Sequence, residues 1–337
     1  MIKKHVFLLL FLVFFVTLIT INSLDARSSP DLLVANNQES QVQIQEDVKQ
    51  DNSNSGQMDK ANEAAGQVVR IRMEQQKPDK YRVWEDVEDS DIIVVTGVYD
   101  HLQDVLDATR TPYSLISPGE LSRVKLNPRQ ILMINCPGDV DRKAIEKIKD
   151  FVKAGGYLFT TDWCLSNILE KAFPGFVEYN NNPTRDDVVE VQIADKGNPF
   201  LMNVFDRNAT PCWWLENSSY PIRIVNDRKV NVLITSKEMD RKYGEPSIAI
   251  TFPYGDGKVI HMTSHFYLQR SDTRYDRQAK SGNYYVKDEL KIDMSAPSAT
   301  KLEKDLEGLN LGEVENCYSN QQFIVNVIIE RKETQKK

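Results

Sequence analysis

Four short apolar runs alternate with helix-period segments between residues 91 and 169, and this alternation restricts the architecture more than any other feature of the chain. Asp91-Ile92-Ile93-Val94-Val95-Thr96-Gly97 is a continuous β-branched run, as expected of a strand buried on both faces. Leu102, Val105 and Leu106 then recur at helical spacing, and Tyr113 to Ile116 reads as a second strand ended by Ser117-Pro118-Gly119. Ile131-Leu132-Met133-Ile134-Asn135 is a third, stopped by Cys136-Pro137-Gly138. Ile145, Ile148, Phe151 and Val152 mark a helix that should close at Gly155-Gly156, because glycine readily takes the left-handed conformation beyond a helix end. Tyr157-Leu158-Phe159-Thr160-Thr161 is the fourth strand, followed by a helix carrying Leu165, Ile168 and Leu169. Strand and helix in alternation predict a parallel sheet with helices on both faces.

The second half holds more strands and longer loops. Val188 to Ile193, Ile222 to Val225, Val230 to Thr235 and Ser247 to Phe252 are short strand-like runs. Tyr254-Gly255-Asp256-Gly257 turns the last of these into Lys258-Val259-Ile260-His261-Met262-Thr263-Ser264, which reads as a hairpin. Ser271 to Asn310 is polar and reads as an excursion, with a small amphipathic helix near Leu302 and Leu306. Phe323 to Ile329 is apolar almost all round, and its polar flanks favour a final buried helix.

Ahead of this part the composition changes twice. Lys3 and Lys4 precede an apolar run from Val6 to Ile21, and Ala26-Arg27-Ser28 fits the small-x-small cleavage rule; residues 1–28 therefore read as an export signal. As a helix the run would span roughly 24 Å, short of the roughly 30 Å hydrocarbon core; an uncleaved membrane anchor is the competing reading. Residues 29–80 are rich in Gln, Asn, Asp, Ser and Glu without an aromatic before Tyr81. They read as a disordered polar tether in which Ala61 to Met73 forms a transient helix. That leaves 81–334 as one enlarged folded domain, exported to the periplasm or the cell exterior. Lys and Arg total 42 against 49 Asp and Glu, a net charge of −7 with no basic cluster, which excludes a nucleic-acid partner. A membrane would be met only through the N-terminal segment.

In open parallel sheets ligands sit beyond the carboxyl ends of the strands. That edge collects Asp100 and His101 after the first strand, Cys136 after the third, Asp162, Trp163 and Cys164 after the fourth, and His265 after the last. Cys164 is a candidate nucleophile, since a helix N-terminus and His265 could raise its thiolate fraction. Equally, Cys136 and Cys164 could be bridged if their strands are neighbours, leaving Cys212 and Cys317 for each other, or all four could be buried thiols. His101, Asp162 and His265 could serve zinc, but no local ligand spacing supports it, so no metal and no cofactor are expected. Trp163, Trp213, Trp214 and Tyr220 could stack on sugar rings or pack in a core. Asn208-Ala209-Thr210 and Asn217-Ser218-Ser219 match the glycosylation acceptor pattern.

The order of these parts resembles the class I glutamine amidotransferase-like superfamily, in particular its exported and trehalose-utilisation-type branch, over roughly Asp91 to Arg331. The resemblance is carried by Ile134-Asn135-Cys136-Pro137-Gly138, the helix ending Phe151-Val152-Lys153-Ala154-Gly155-Gly156-Tyr157-Leu158, the hairpin ending Gly255-Asp256-Gly257-Lys258-Val259-Ile260, and Asn320-Gln321-Gln322-Phe323-Ile324-Val325-Asn326. It implies an α/β fold: a flavodoxin-like parallel sheet flanked by helices, with an added hairpin near the C-terminal end. It also implies a nucleophile in the sharp turn after the central strand, where Cys164 falls, and a histidine after a late strand, where His265 falls. Asp162 and Ser166 stand where the family has the elbow glycines, and Tyr267 where it has the acid. The expected role is binding or accessory, toward a small polar or carbohydrate-type ligand. The alternative is a cysteine- or metal-dependent hydrolase using Cys164 and His265 with Asp162 assisting.

Overall fold

The computed structural model describes residues 56–335. The export segment and the first half of the expected tether lie outside the described residues. Among those described, no helix is long and apolar enough to cross a membrane.

All four apolar runs of the first half are strands: β1 (Ile92–Val95), β2 (Ser114–Ile116), β3 (Ile131–Ile134) and β4 (Tyr157–Thr161). The second half supplies β5 (Val177–Tyr179), β6 (Asp187–Glu190), β7 (Gln192–Ile193), β8 (Cys212–Leu215), β9 (Ile222–Ile224), β10 (Asn231–Thr235), β11 (Ser247–Tyr254) and β12 (Gly257–Met262). Eight of these form one sheet in the order β2-β1-β3-β4-β12-β11-β10-β7. The first five run parallel, which is the flavodoxin-like 2-1-3-4-5 order with β12 in fifth place. The remaining three continue the sheet antiparallel. Gly255 and Asp256 make the β11–β12 turn, with Gly255 at φ +61°, the first-position left-handed residue that a two-residue hairpin of the II′ type requires. The fold class expected from the sequence is the one found.

Period-2 alternation along the strands divides the core between two faces. Ile92, Val94, Ile131, Met133, Tyr157, Phe159, Ile260 and Met262 face one layer. Ile93, Val95, Leu132, Ile134, Leu158 and Val259 face the other. The second face is covered by the helix Arg142–Lys153, which presents Ala144, Ile145, Ile148, Phe151 and Val152 inward. Asp141 caps its N-terminus by accepting the Ala144 N–H at 2.7 Å. At its other end Gly155 N–H donates to Val152 O and Gly156 N–H to Phe151 O, the paired bonds of a Schellman cap.

The first face is covered by Leu102–Ala108, by the 24-residue C-terminal helix Leu311–Thr334 and by a helix over 56–76. The last of these corrects the tether expectation: residues 56–80 are not a disordered linker, and the folded domain starts near 56 instead of 81. Met58, Ala61, Ala64, Ala65, Val68, Val69, Ile71 and Met73 are all buried. Alanine and valine at three- and four-residue spacing build a thin apolar stripe that averaging over a polar segment conceals. Arg72 anchors the helix through a two-pronged pair with Asp206, at 2.7 and 3.0 Å, and by donating to the Tyr318 hydroxyl at 2.6 Å.

The C-terminal helix is buried along most of its length, as its apolar run suggests, but it also buries Glu315, Asn316, Ser319, Asn320, Gln321, Gln322 and Asn326. Such groups need partners when taken from water, and most of their polar atoms find them between elements, Asn320 Oδ1 and Gln321 Oε1 excepted. Cys212 N–H donates to Asn316 at 2.7 Å, Trp213 Nε1–H to Ser319 at 2.9 Å, and Asn320 to the His265 carbonyl at 3.0 Å. Ser271 to Asn310 is likewise no free excursion. Arg277 clamps Glu289 and the 1%-exposed Glu315, while Tyr285, Val286, Leu290 and Ile292 enter the core.

Candidate functional site

The rim of the sheet gathers most of the residues that strand-end reasoning selects, with Asp162 at the centre. β4 ends at Thr161, and Asp162 follows with φ +45°, a conformation that costs an ordinary residue about 1 kcal/mol or more. Asp162, not Cys164, therefore occupies the sharp turn after the central strand. Its side chain is 1% exposed. Oδ1 accepts the Tyr220 N–H at 2.7 Å, and Oδ2 accepts the Ser219 hydroxyl at 3.0 Å. On the same Oδ2 converge His265 Nε2 at 3.3 Å and the Cys136 thiol at 3.7 Å.

His265 is 1% exposed and packs edge-on against Trp214, with ring centroids 5.4 Å apart. Nε2 also lies 3.6 Å from Glu216 Oε2, while Nδ1 has no hydrogen-bond partner. Burial alone would lower the pKa of the imidazole, but Asp100, Asp162 and Glu216 together raise it to about 9. His265 thus sits as a cation among carboxylates. Asp100 holds the backbone that carries it: its carboxylate accepts the Thr161 hydroxyl at 2.8 Å and the N–H groups of His101, Phe266 and Tyr267 at 2.8, 2.9 and 3.2 Å. Asp100 is a buried brace between the ends of β1, β4 and β12, not a ligand-facing acid.

Cys164 is a correction. It is fully buried in the layer with Leu165, Ile168 and Ile134, and its thiol faces the carbonyls of Ile134 and Asn135 at 3.6 and 3.7 Å. A side chain at Gly138 would lie 2.6 Å from its sulfur, so Gly138 is the residue that makes room for it. Burial, with Asp162 and Asp100 adding to it, pushes the thiol far up, away from the thiolate a nucleophile needs. All four cysteines are free and buried. The Cys136–Cys164 and Cys212–Cys317 bridges are absent, although β3 and β4 are indeed neighbours; the two side chains leave the sheet for different surroundings.

The switch point between β1 and β3, where the strand order reverses and such sheets commonly open a crevice, is closed by backbone. Gly97 lies so near Cys136 O that a Cβ would meet it at 2.2 Å. Val98 and Tyr99 both donate to that oxygen, and Asn135 donates to Val95 O while accepting the Leu102 N–H. His101 stays outside the central cluster, half-buried, with Gln103 and Tyr267 as neighbours. A groove of about 600 Å³ does open beside the rim, lined by Asp59, Asn62, Glu63, Asp104, Asp107 and Tyr267 among others. None of Cys136, Asp162, Cys164 or His265 lines it.

The aromatic residues separate. Trp213 and Trp214 are core, with their N–H groups bound to Ser319 and Asp186, so they are unavailable for stacking on a sugar. Trp163 is half-buried at the rim, and its N–H donates to Ser218 O at 2.8 Å. It meets Tyr99 at 5.2 Å and stacks on Tyr220 at 5.6 Å, which stacks on Tyr179 at 4.0 Å. Tyr99 is 39% exposed. Glu216 and Ser219 belong to the site without having been selected as part of it. Asn217-Ser218-Ser219 stands out in the sequence only as an acceptor tripeptide. In the fold its serine is buried to hold Asp162, while Asn217 is exposed.

No family model matches the chain, and no curated relative matches it. Solved structures with a similar sheet include a GMP synthase-type protein from Thermoplasma acidophilum, at 10% identity and TM-score 0.43, over 74% of this chain and 98% of that one. A ThuA-like protein from Bacteroides uniformis is 12% identical, TM-score 0.37, over 52% and 82%. Gan42B, a GH42 β-galactosidase, is 16% identical at TM-score 0.35 over 52% of this chain and only 27% of its own length. The chain spans about a quarter of that glycosidase. At these identities and scores the likenesses bear on no residue's role.

Proposed function

We propose that this chain is a binding module, working outside the cytoplasm, whose ligand is a small polar or carbohydrate-type molecule held at the carboxyl edge of the sheet. The observation that carries this reading is the aromatic row Tyr99–Trp163–Tyr220–Tyr179 on the rim, partly open to solvent above a fully buried polar cluster. Flat apolar ring faces with polar edges suit sugars and other polar rings. The opposite reading, a cysteine hydrolase, lacks its nucleophile: Cys164 is turned into the core and its thiol is held protonated. The export part of the proposal rests on the Lys3-Lys4 and Val6–Ile21 pattern. Free thiols suit that setting because all four are buried from oxidant.

Trp163 provides the test. Trp84, Trp213 and Trp214 are each at most 4% exposed, so a quencher or a bound ring should act first on Trp163. Titration with a panel of mono- and oligosaccharides is expected to change tryptophan emission, and Trp163→Phe to abolish the change. A change that persists in Trp163→Phe, or none with any saccharide or small polar solute, would overturn the assignment.

A further inference from the structure

Cys136, Asp162 and His265 come from the ends of three adjacent strands, β3, β4 and β12, and one ligand atom of each lies within 4.8 Å of the others. We propose that these three side chains bind a zinc-type divalent metal ion through Cys136 Sγ, Asp162 Oδ2 and His265 Nε2, with Glu216 on the fourth side.

The distances favour ligation over simple hydrogen bonding. A charge-assisted N–H···O contact normally closes to about 2.7–2.9 Å, whereas His265 Nε2 stays 3.3 Å from Asp162 Oδ2. Tetrahedral zinc with ordinary bond lengths spaces its nitrogen and oxygen ligands about 3.3 Å apart, and its sulfur and oxygen ligands about 3.5 Å apart. The second of these compares with 3.7 Å between Cys136 Sγ and Asp162 Oδ2. Charge agrees as well: one thiolate and one carboxylate neutralise a dication, so the three buried ligands and the ion together carry no net charge in a place where all three residues are at most 1% exposed. Binding releases two protons to solvent, one from the Cys136 thiol and one from Nε2 of the His265 imidazolium, whose freed lone pair then ligates the ion.

The surroundings are those of a held site. The other oxygen of Asp162 accepts the Tyr220 N–H, Asn320 fixes the His265 carbonyl, and Asp100 fixes the two residues that follow His265. Such outer partners set the orientation of metal ligands. Glu216 Oε2, 3.6 Å from His265 Nε2 on a side chain 30% exposed, marks the side from which an ion enters and from which a carboxylate or water completes the shell. His101, the ligand that the strand-end reading supplies in place of Cys136, lies outside this trio.

The test is cobalt(II) added to the reduced, metal-stripped full chain. One cobalt per chain is expected, with the near-ultraviolet thiolate charge-transfer band and intense visible bands of tetrahedral cobalt. Cys136→Ser should abolish the charge-transfer band, and Cys164→Ser should leave it intact. Should Cys136→Ser fail to fold, the wild-type chain alone decides: cobalt and zinc must raise its melting temperature, magnesium must not. Absence of the band in the wild-type chain, its survival in folded Cys136→Ser, or its loss in folded Cys164→Ser would each overturn the proposal.

Discussion

Replacing Asp162 should expose how the rim is held together, and the cost can be worked from its contacts. Asp162→Ala takes the acceptor from the Tyr220 N–H and the Ser219 hydroxyl, and removes the nearest carboxylate from buried His265. An unpaired buried donor costs about 1–3 kcal/mol, and stripping one partner from a buried charged pair about 3–5 kcal/mol. Alanine at φ +45° adds about 1 kcal/mol. The terms overlap, so a loss of about 5 kcal/mol is expected. Asparagine tolerates the left-handed backbone and still offers an oxygen to Tyr220 but also takes the charge from His265, so Asp162→Asn should lose about 2 kcal/mol less than alanine. Urea unfolding at neutral pH with a chelator present, followed by circular dichroism, measures both. Asp162→Ala with His265→Leu should be more stable than Asp162→Ala alone, because the orphaned imidazole goes too. A loss below about 1 kcal/mol in Asp162→Ala, or equal losses for alanine and asparagine, would refute the bracing role of this carboxylate.

His261 should make the protein acid-sensitive. Burial lowers its pKa to about 3, against a slight opposite effect of Thr160, so below pH 6.5 the unfolded chain takes up a proton that the native one refuses. Stability is full above that pH and falls as pH drops toward 3, by about 2 kcal/mol at pH 5; the wild-type-minus-His261→Gln difference in urea unfolding at pH 8 and pH 5 reads this. Ala65→Asp would bury a carboxylate on the helix over 56–76, where Ala65 is 0% exposed; a loss of several kcal/mol in thermal melts is expected, whereas a flexible tether would show none. Glu315→Gln leaves Arg277 with Glu289 alone and should cost about 3 kcal/mol, much less in an Arg277→Met background. Thiol titration should find essentially no reactive cysteine in the native chain and four after denaturation, since all four are buried and free.

The parallel sheet was legible because each run is short, apolar and set between turn residues or helix-period segments, as strands buried on both faces are. Ile92–Val95, Ile131–Ile134 and Tyr157–Thr161 lie within the stretches their composition marks, and the Gly155-Gly156 cap closes its helix as glycine allows. Strand ends then nominated the rim, because chain order and the right-handed crossover settle which edge the loops share. The helix over 56–76 was not legible, since its buried stripe is made of alanines and valines among charged residues. Its stability comes from partners far along the chain, such as Asp206, Tyr318 and Gln321.

Which rim residue faces which layer was decided by tertiary structure alone. Sequence places Asp162 and Cys164 two positions apart after one strand, close enough to exchange roles on paper. The left-handed backbone at Asp162 turns that carboxylate toward His265, and the helical turn that follows sends Cys164 back under the sheet. A period-2 or period-3.6 pattern cannot predict such a turn, because the residue that makes it obeys neither. Glu216 and Ser219 joined the site through a loop more than fifty residues downstream of Asp162. The sequence by itself determined the sheet, its edge and the pool of candidate side chains; only the packed chain decided which of them meet, because that choice is made by long-range hydrogen bonds that no local spacing encodes.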